Sequence, residues 1–136
     1  MLCVFDVNET LLDLAALDGF FAGLAGTPQA RKEWFGLMIH GALTQTAARS
    51  YRPFGELGAA CLESVAARHG RVATAEHKRE LTRRMRELPA HPDARAALAR
   101  LRDAGFDVVT LTNSAAEVAE AQLRSAGLRE LIQAVY

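Results

Sequence analysis

The sequence predicts an α/β protein, a parallel sheet interrupted by a long all-helical insertion. Three observations predict it. A short apolar run at residues 1–5 stops at Asp6 and a polar segment, the pattern of a buried strand. Residues 14–90 then carry apolar side chains at three- and four-residue steps, the period of helices. From His91 onward the order becomes helix, strand, helix, strand, which predicts a parallel sheet. The expected division is a core of residues 1–13 and 91–136 around an all-helical insertion of residues 14–90.

The first strand contains the β-branched Val4 and delivers Asp6 to its carboxyl end, where open α/β sheets place their ligand sites. Leu14, Leu17, Phe20, Phe21 and Leu24 make the first helical stripe, closed by Gly26 and Thr27-Pro28. Thr27 is expected to cap a second helix with Pro28 at its first position. That helix presents Trp34, Leu37, Met38, Gly41 and Ala42 on one face, and Tyr51-Arg52-Pro53 breaks the pattern, since a residue before proline is pushed out of helical angles. A third helix over residues 54–68 carries Leu57, Cys61, Leu62 and Val65 and stops at His69-Gly70. Thr74 is expected to cap a fourth, highly charged helix that ends near Leu88-Pro89.

The stripe Ala94, Ala97, Leu98, Leu101 and Ala104 ends at Gly105, a good helix stop. Residues 106–111 form a second buried strand ending at Thr112-Asn113-Ser114. A helix with Ala115, Val118, Ala119, Leu123 and Ala126 begins at once and ends at Gly127. Residues 132–136 start a third strand.

Composition narrows the class. With 136 residues, half of them hydrophobic and 24% charged, the chain reads as one globular domain or a small core carrying an insertion. Sixteen basic residues balance sixteen acidic ones, so no net field favours nucleic acid or an anionic membrane. No apolar run approaches membrane length, and no cleavable leader pattern opens the chain. Cys3 and Cys61 lack a second cysteine or histidine at metal-ligand spacing and read as buried reduced thiols of a cytoplasmic protein. His40, His69, His77 and His91 likewise show no ligand spacing, read as surface or cap residues, and no metal is assigned.

The chemistry centres on Asp6. A carboxylate at a strand end, beside backbone donors of Val7-Asn8-Glu9, can act as a nucleophile toward carbon or phosphorus. Thr10, four residues on, is spaced to return its hydroxyl to that carboxylate. Thr112 and Asn113 occupy the equivalent end of the second strand, where a hydroxyl, an amide and backbone N–H groups at a helix opening can hold an anion. Each feature alone is more often a turn or a helix cap. Together they make a nucleophile beside an anion site.

Asp6-Val7-Asn8-Glu9-Thr10-Leu11-Leu12-Asp13 resembles the first motif of the haloacid dehalogenase superfamily, and Thr112-Asn113 after Val108-Val109-Thr110-Leu111 resembles its second. The helical stretch between them is similar in length and position to the cap of the type II 2-haloacid dehalogenases. The resemblance implies a Rossmann-like core, incomplete at its carboxyl terminus, with an inserted helical cap. It implies an (S)-2-haloacid dehalogenase-like hydrolase acting on a small anionic substrate, a 2-haloalkanoic acid. Asp6 would displace halide from C2 with inversion, and water would hydrolyse the resulting aspartyl ester. Thr10 would hold Asp6, Val7 and Asn8 would contribute to substrate binding, and Thr112 and Asn113 would hold the substrate carboxylate. Arg31 best matches the cap arginine that reaches the leaving halide, set against a plain solvated arginine, with Arg49 and Arg52 as runners-up. Phe35, Met38, Tyr51 and Phe54 would wall the pocket or simply fill the cap core.

Phosphatases of the superfamily carry a second Asp two residues after the nucleophile, for proton transfer, and use Mg2+. Here that position is Asn8, so carbon–halogen chemistry without a cofactor is expected. A Mg2+-dependent phosphatase is the first alternative, and a catalytically incomplete binding or assembly module is the second. The family's third motif, a lysine, and its fourth, an acidic or polar cluster, would follow Tyr136. The only lysines are Lys32 and Lys78, both in the insertion. The chain therefore reads as truncated, with little activity expected of these residues alone. Relatives of this kind make a homodimer a candidate assembly.

Overall fold

Residues 1–136 are all described in the structure, a computed structural model. In chain order the elements are β1 (Leu2–Phe5), α1 (Asp18–Ala25), α2 (Ala30–Ala47), α3 (Phe54–Arg68), α4 (Ala75–Arg86), α5 (Ala94–Asp103), β2 (Asp107–Thr110), α6 (Ala116–Ser125) and β3 (Ala134–Val135). The fold is α/β and Rossmann-like, and it resolves into two units. One is Met1–Ala16 with Met85–Tyr136, and the other is Leu17–Arg84.

The first unit is built on a parallel sheet of order β1-β2-β3. Phe5 lies opposite Thr110, and Val109 opposite Ala134. β2 is central, so Val108, Val109 and Thr110 are buried. α5 and α6 supply the crossovers, burying Leu98, Ala119 and Leu123 with Leu128 and Ile132. Gly105 (φ 81°) and Gly127 (φ 66°) end the two helices in a left-handed conformation that a Cβ would strain.

The sequence reads β1 as a buried strand, and the structure corrects this. Leu2 and Val4 keep 58% and 53% of their surface, because they lie on one face of β1, which no element covers, while Cys3 and Phe5 on the other face are half-buried. Cys61, by contrast, is buried, and both cysteines are free thiols.

The second unit is helical. Phe20 and Phe21 meet edge-on at 5.2 Å, and Phe21 lies 5.4 Å from Trp34. Trp34 is fully enclosed and donates its Nε1–H to the Gly58 carbonyl of α3 at 2.9 Å. A Cβ on Gly58 would come within 3.2 Å of Met38 Cε, so this glycine lets α2 and α3 approach closely. Two expected starts differ in detail. Leu14–Leu17 is a 3-10 turn ahead of α1, and α2 begins at Ala30 rather than at Pro28. The entry to α2 is a tighter turn, with Arg31 N–H bonded to Pro28 O at 3.1 Å. Thr74 does cap α4: its hydroxyl accepts the His77 N–H at 3.3 Å, while its own N–H donates to His77 Nδ1 at 3.1 Å, a histidine version of the capping box. α4 ends at Arg86, short of Pro89. No helix is long and apolar enough to cross a membrane.

Candidate active site

The carboxyl ends of β1 and β2 lie side by side, since the Leu111 N–H donates to Phe5 O at 2.8 Å. Asp6 is the next residue after Phe5 and is exposed. The Thr10 hydroxyl donates to Asp6 Oδ2 at 3.2 Å. A tight loop makes this contact: Leu11 and Leu12 N–H both reach Val7 O, at 2.9 and 3.0 Å, and Glu9 N–H reaches Leu12 O at 2.9 Å. Val7, Leu11 and Leu12 are buried, so the apolar residues anchor the loop and leave Asp6 and Thr10 outward. Glu9 takes φ 68°, a left-handed conformation that costs a side-chain-bearing residue energy and collects at functional loops.

At the end of β2, Thr112 is half-buried and Asn113 exposed. The backbone donors expected there are partly spent: Thr112 N–H goes to Tyr136 O at 2.8 Å, and Ser114 N–H goes to Thr112 Oγ1 at 3.2 Å. α6 opens at Ala116, two residues beyond Ser114, and Ala115 at its cap makes no side-chain bond.

Asn8 does not face outward. It is 6% exposed, and its Nδ2 donates to Ser114 Oγ at 3.1 Å. Its Oδ1 accepts from Gln122 Nε2 at 3.0 Å, and the same Nε2 donates to Met85 O at 2.7 Å. Gln122 is fully buried on α6. Sequence reasoning missed both Gln122 and Ser114, because the partners stand more than a hundred positions from Asn8 and no local spacing announces them. A lone glutamine in an otherwise apolar stripe was the one available signal.

The residues able to hold a cation are Glu9, Asp13 and His91, whose ligand atoms lie within 4.8 Å of one another. Glu9 Oε2 accepts the Leu14 N–H at 3.1 Å, and Asp13 Oδ1 accepts the Ala15 N–H at 2.8 Å. One oxygen of each carboxylate thus holds a backbone N–H. These bonds pin the start of the 3-10 turn, while Asp13 N–H to Pro89 O and His91 N–H to Leu11 O, each 2.9 Å, tie in the returning chain.

In the helical unit Arg31 is not a solvated surface residue. It is 6% exposed, and its Nε donates to Asp18 Oδ1 at 2.6 Å. Arg49 and Arg52 are exposed. Of the apolar residues expected to wall a pocket, Met38 is buried, Phe35 and Phe54 are half-buried, and Tyr51 is 86% exposed. His69 pairs with Glu33 at 3.2 Å.

Comparison with known proteins decides the family. The model of the haloacid dehalogenase-like hydrolases matches residues 1–136. The chain belongs to the haloacid dehalogenase-like hydrolases. Within this family it is similar to (S)-2-haloacid dehalogenase 1 of Pseudomonas sp. (strain CBS-3), 29% identical over 132 residues, covering 96% of this chain and 58% of that protein. The chain thus spans little more than half the length of that relative. A crystallised dehalogenase superposes with TM-score 0.89 at 26% identity, covering 98% of this chain and 60% of the other. The fold is also that of the L-2-haloacid dehalogenase from Xanthobacter autotrophicus with chloropropionic acid covalently bound, at TM-score 0.86, 22% identity and coverages of 97% and 54%. The family's α/β core is thus a feature of this chain as well.

Proposed function

We propose that the protein is a 2-haloacid dehalogenase acting on (S)-2-haloalkanoic acids. One observation carries the reading: Asp6 stands exposed under the Thr10 hydroxyl, while position 8 holds a neutral amide bonded to the buried Gln122 and the half-buried Ser114. Position 8 therefore supplies no carboxylate for proton transfer beside Asp6. In the proposed reaction an Asp6 oxygen attacks C2, the carbon–halogen bond breaks, and the halide leaves with its electron pair. Water then adds to the ester carbonyl, releasing the 2-hydroxy acid and a proton and restoring Asp6. Halide needs no protonation to leave, which suits a site without a general acid.

Thr10 holds the Asp6 carboxylate in its attacking orientation. Thr112 and Asn113 bind the substrate carboxylate, and Val7 and Asn8 contribute through backbone N–H groups, their side chains being buried. Arg31 belongs to the reading as the halide- and carboxylate-binding cation. Its support is its burial and its anchoring by Asp18, which a solvated arginine would lack. No cofactor enters the proposal. The Mg2+-dependent phosphatase fits less well, since Asn8 Oδ1 is already spent on Gln122. We also place the protein in the cytoplasm, in keeping with two unpaired thiols, and take a homodimer as the assembly that light scattering should test.

The test is halide release from (S)-2-chloropropionate by the protein at its encoded length. Asp6→Asn should abolish it, and a single turnover in H2(18)O should leave label in the Asp6 side chain. Halide release that survives Asp6→Asn would sink the reading. So would Mg2+-dependent phosphomonoester hydrolysis, lost in Asp6→Asn, without any halide release.

A further inference from the structure

The buried chain Met85–Gln122–Asn8–Ser114 has a direction, and a backbone carbonyl sets it. Met85 O can only accept, so the Gln122 atom 2.7 Å away must be the amide nitrogen. That nitrogen also lies 3.0 Å from the Asn8 side chain, which must therefore present its oxygen. Asn8 Nδ2 then points the other way, to Ser114 Oγ at 3.1 Å, and the serine oxygen accepts. The orientation has a cost, because Gln122 Oε1 is left buried without a partner. An amide that tolerates such a loss is held by its other two bonds.

The consequence falls on Ser114. Its oxygen is occupied by an Asn8 N–H, so its own hydrogen is not needed inward. Ser114 is half-buried beside Thr112 and Asn113, so this hydrogen is available to an acceptor at the strand end. We propose that Ser114 is a further contact to the substrate carboxylate, and that Gln122 is a positioning residue that commits the Ser114 hydroxyl to donate outward by fixing the Asn8 amide. This rests on the dehalogenase reading for the identity of the anion. The chain of donors also explains an amide at position 8. A carboxylate there would accept from Gln122 and would make Ser114 donate inward, away from the substrate.

The experiment is a titration of the protein with propionate, a carboxylate of substrate shape without a halogen, followed through backbone amide shifts. In the wild type the Asn113 and Ser114 signals should move saturably. Ser114→Ala should weaken binding about tenfold or more, the scale of one hydrogen bond to a charged group, and Ser114→Thr should restore it. Gln122→Met should weaken binding several-fold. The Ser114→Ala/Gln122→Met double variant should bind no more weakly than Ser114→Ala alone, since Gln122 acts through Ser114. Gln122→Leu serves if the methionine variant unfolds. It too lacks the donor that fixes the Asn8 amide, so binding again weakens.

Unchanged affinity in Ser114→Ala, additive losses in the double variant, or no propionate binding by the wild type would each overturn the proposal. Halide assays on the same variants separate it from the reading it rests on. Ser114-dependent propionate binding without halide release removes the dehalogenase and leaves the Ser114 contact. Halide release with the same KM in Ser114→Ala does the reverse.

Discussion

Thr110 sits fully enclosed in the central strand, and its hydroxyl has no hydrogen-bond partner. A buried polar atom left unpaired costs more than an apolar group of the same shape. Thr110→Val keeps the β-branched outline and should stabilise the fold by about 1 kcal/mol, read as a higher urea midpoint at unchanged slope. A lower midpoint would mean that the hydroxyl has a partner in solution. Glu80 gives a pH-dependent counterpart. Hydrogen bonds from Arg83 and then Arg84 hold its carboxyl down at about 2, against an ordinary value of 4.5. The folded state therefore releases this proton more readily than the unfolded chain, so the stabilisation is present above pH 4.5 and fades as pH falls toward 2. Glu80→Gln should flatten the loss of stability over that window, measured by urea unfolding at successive pH values. Burial pushes the Cys61 thiol up, with Arg68 opposing, so Cys61 should react with a thiol reagent more slowly than the half-buried Cys3. The site residues divide by range. Asp6 and Thr10 were legible because a four-residue step closes the loop locally. Ser114 and Gln122 were not, because only folding brings α6 and the β2 loop to Asn8. Arg31 read equally well as a solvated arginine, since nothing in its neighbours' spacing reveals the Asp18 pairing that accompanies its burial.

Among the elements, α2 and α3 depend most on a single side chain. Trp34 fills the space beside Phe21 and bonds to Gly58 O, so Trp34→Ala removes both a large apolar volume and a donor. Helical-unit stability should fall by about 3–5 kcal/mol, and Trp34→Phe, which loses the donor and part of the ring, should fall by less. Circular dichroism during urea unfolding would check both, and an alanine variant within 1 kcal/mol of wild type would contradict the packing described. Helix ends were legible wherever the sequence supplies a physical stop. Gly105 and Gly127 take the left-handed angles that their positions demanded, and Thr74 caps α4 as its residue type suggested. Two starts were less legible, even where Thr27 accepts the Gln29 N–H at 3.4 Å as a cap would. The turn after Thr27 tightens before α2 begins, and Leu14–Leu17 winds as a 3-10 turn because Glu9 and Asp13 capture its first N–H groups.

For the whole molecule, strand positions were readable but strand exposure was not. An apolar run implies burial only if something covers both faces. β1 is apolar yet lies at the sheet's edge, and Leu2, Val4, Leu111 and Tyr136 of the same unit keep 58%, 53%, 61% and 70% of their surface. Sixteen basic residues cancel sixteen acidic ones, and the isoelectric point is about 6.9. Near neutral pH these 136 residues therefore carry little net repulsion to keep apolar edges apart. Self-association should peak close to pH 7 and weaken at pH 5 and pH 9, measured by light scattering at fixed protein concentration. Val4→Lys places a charge on the exposed edge and should lower the peak while changing the stability from urea unfolding by no more than about 0.5 kcal/mol. Scattering that ignores both pH and the Val4→Lys change would mean that the β1 edge is covered in solution and that association, if any, is driven from another surface.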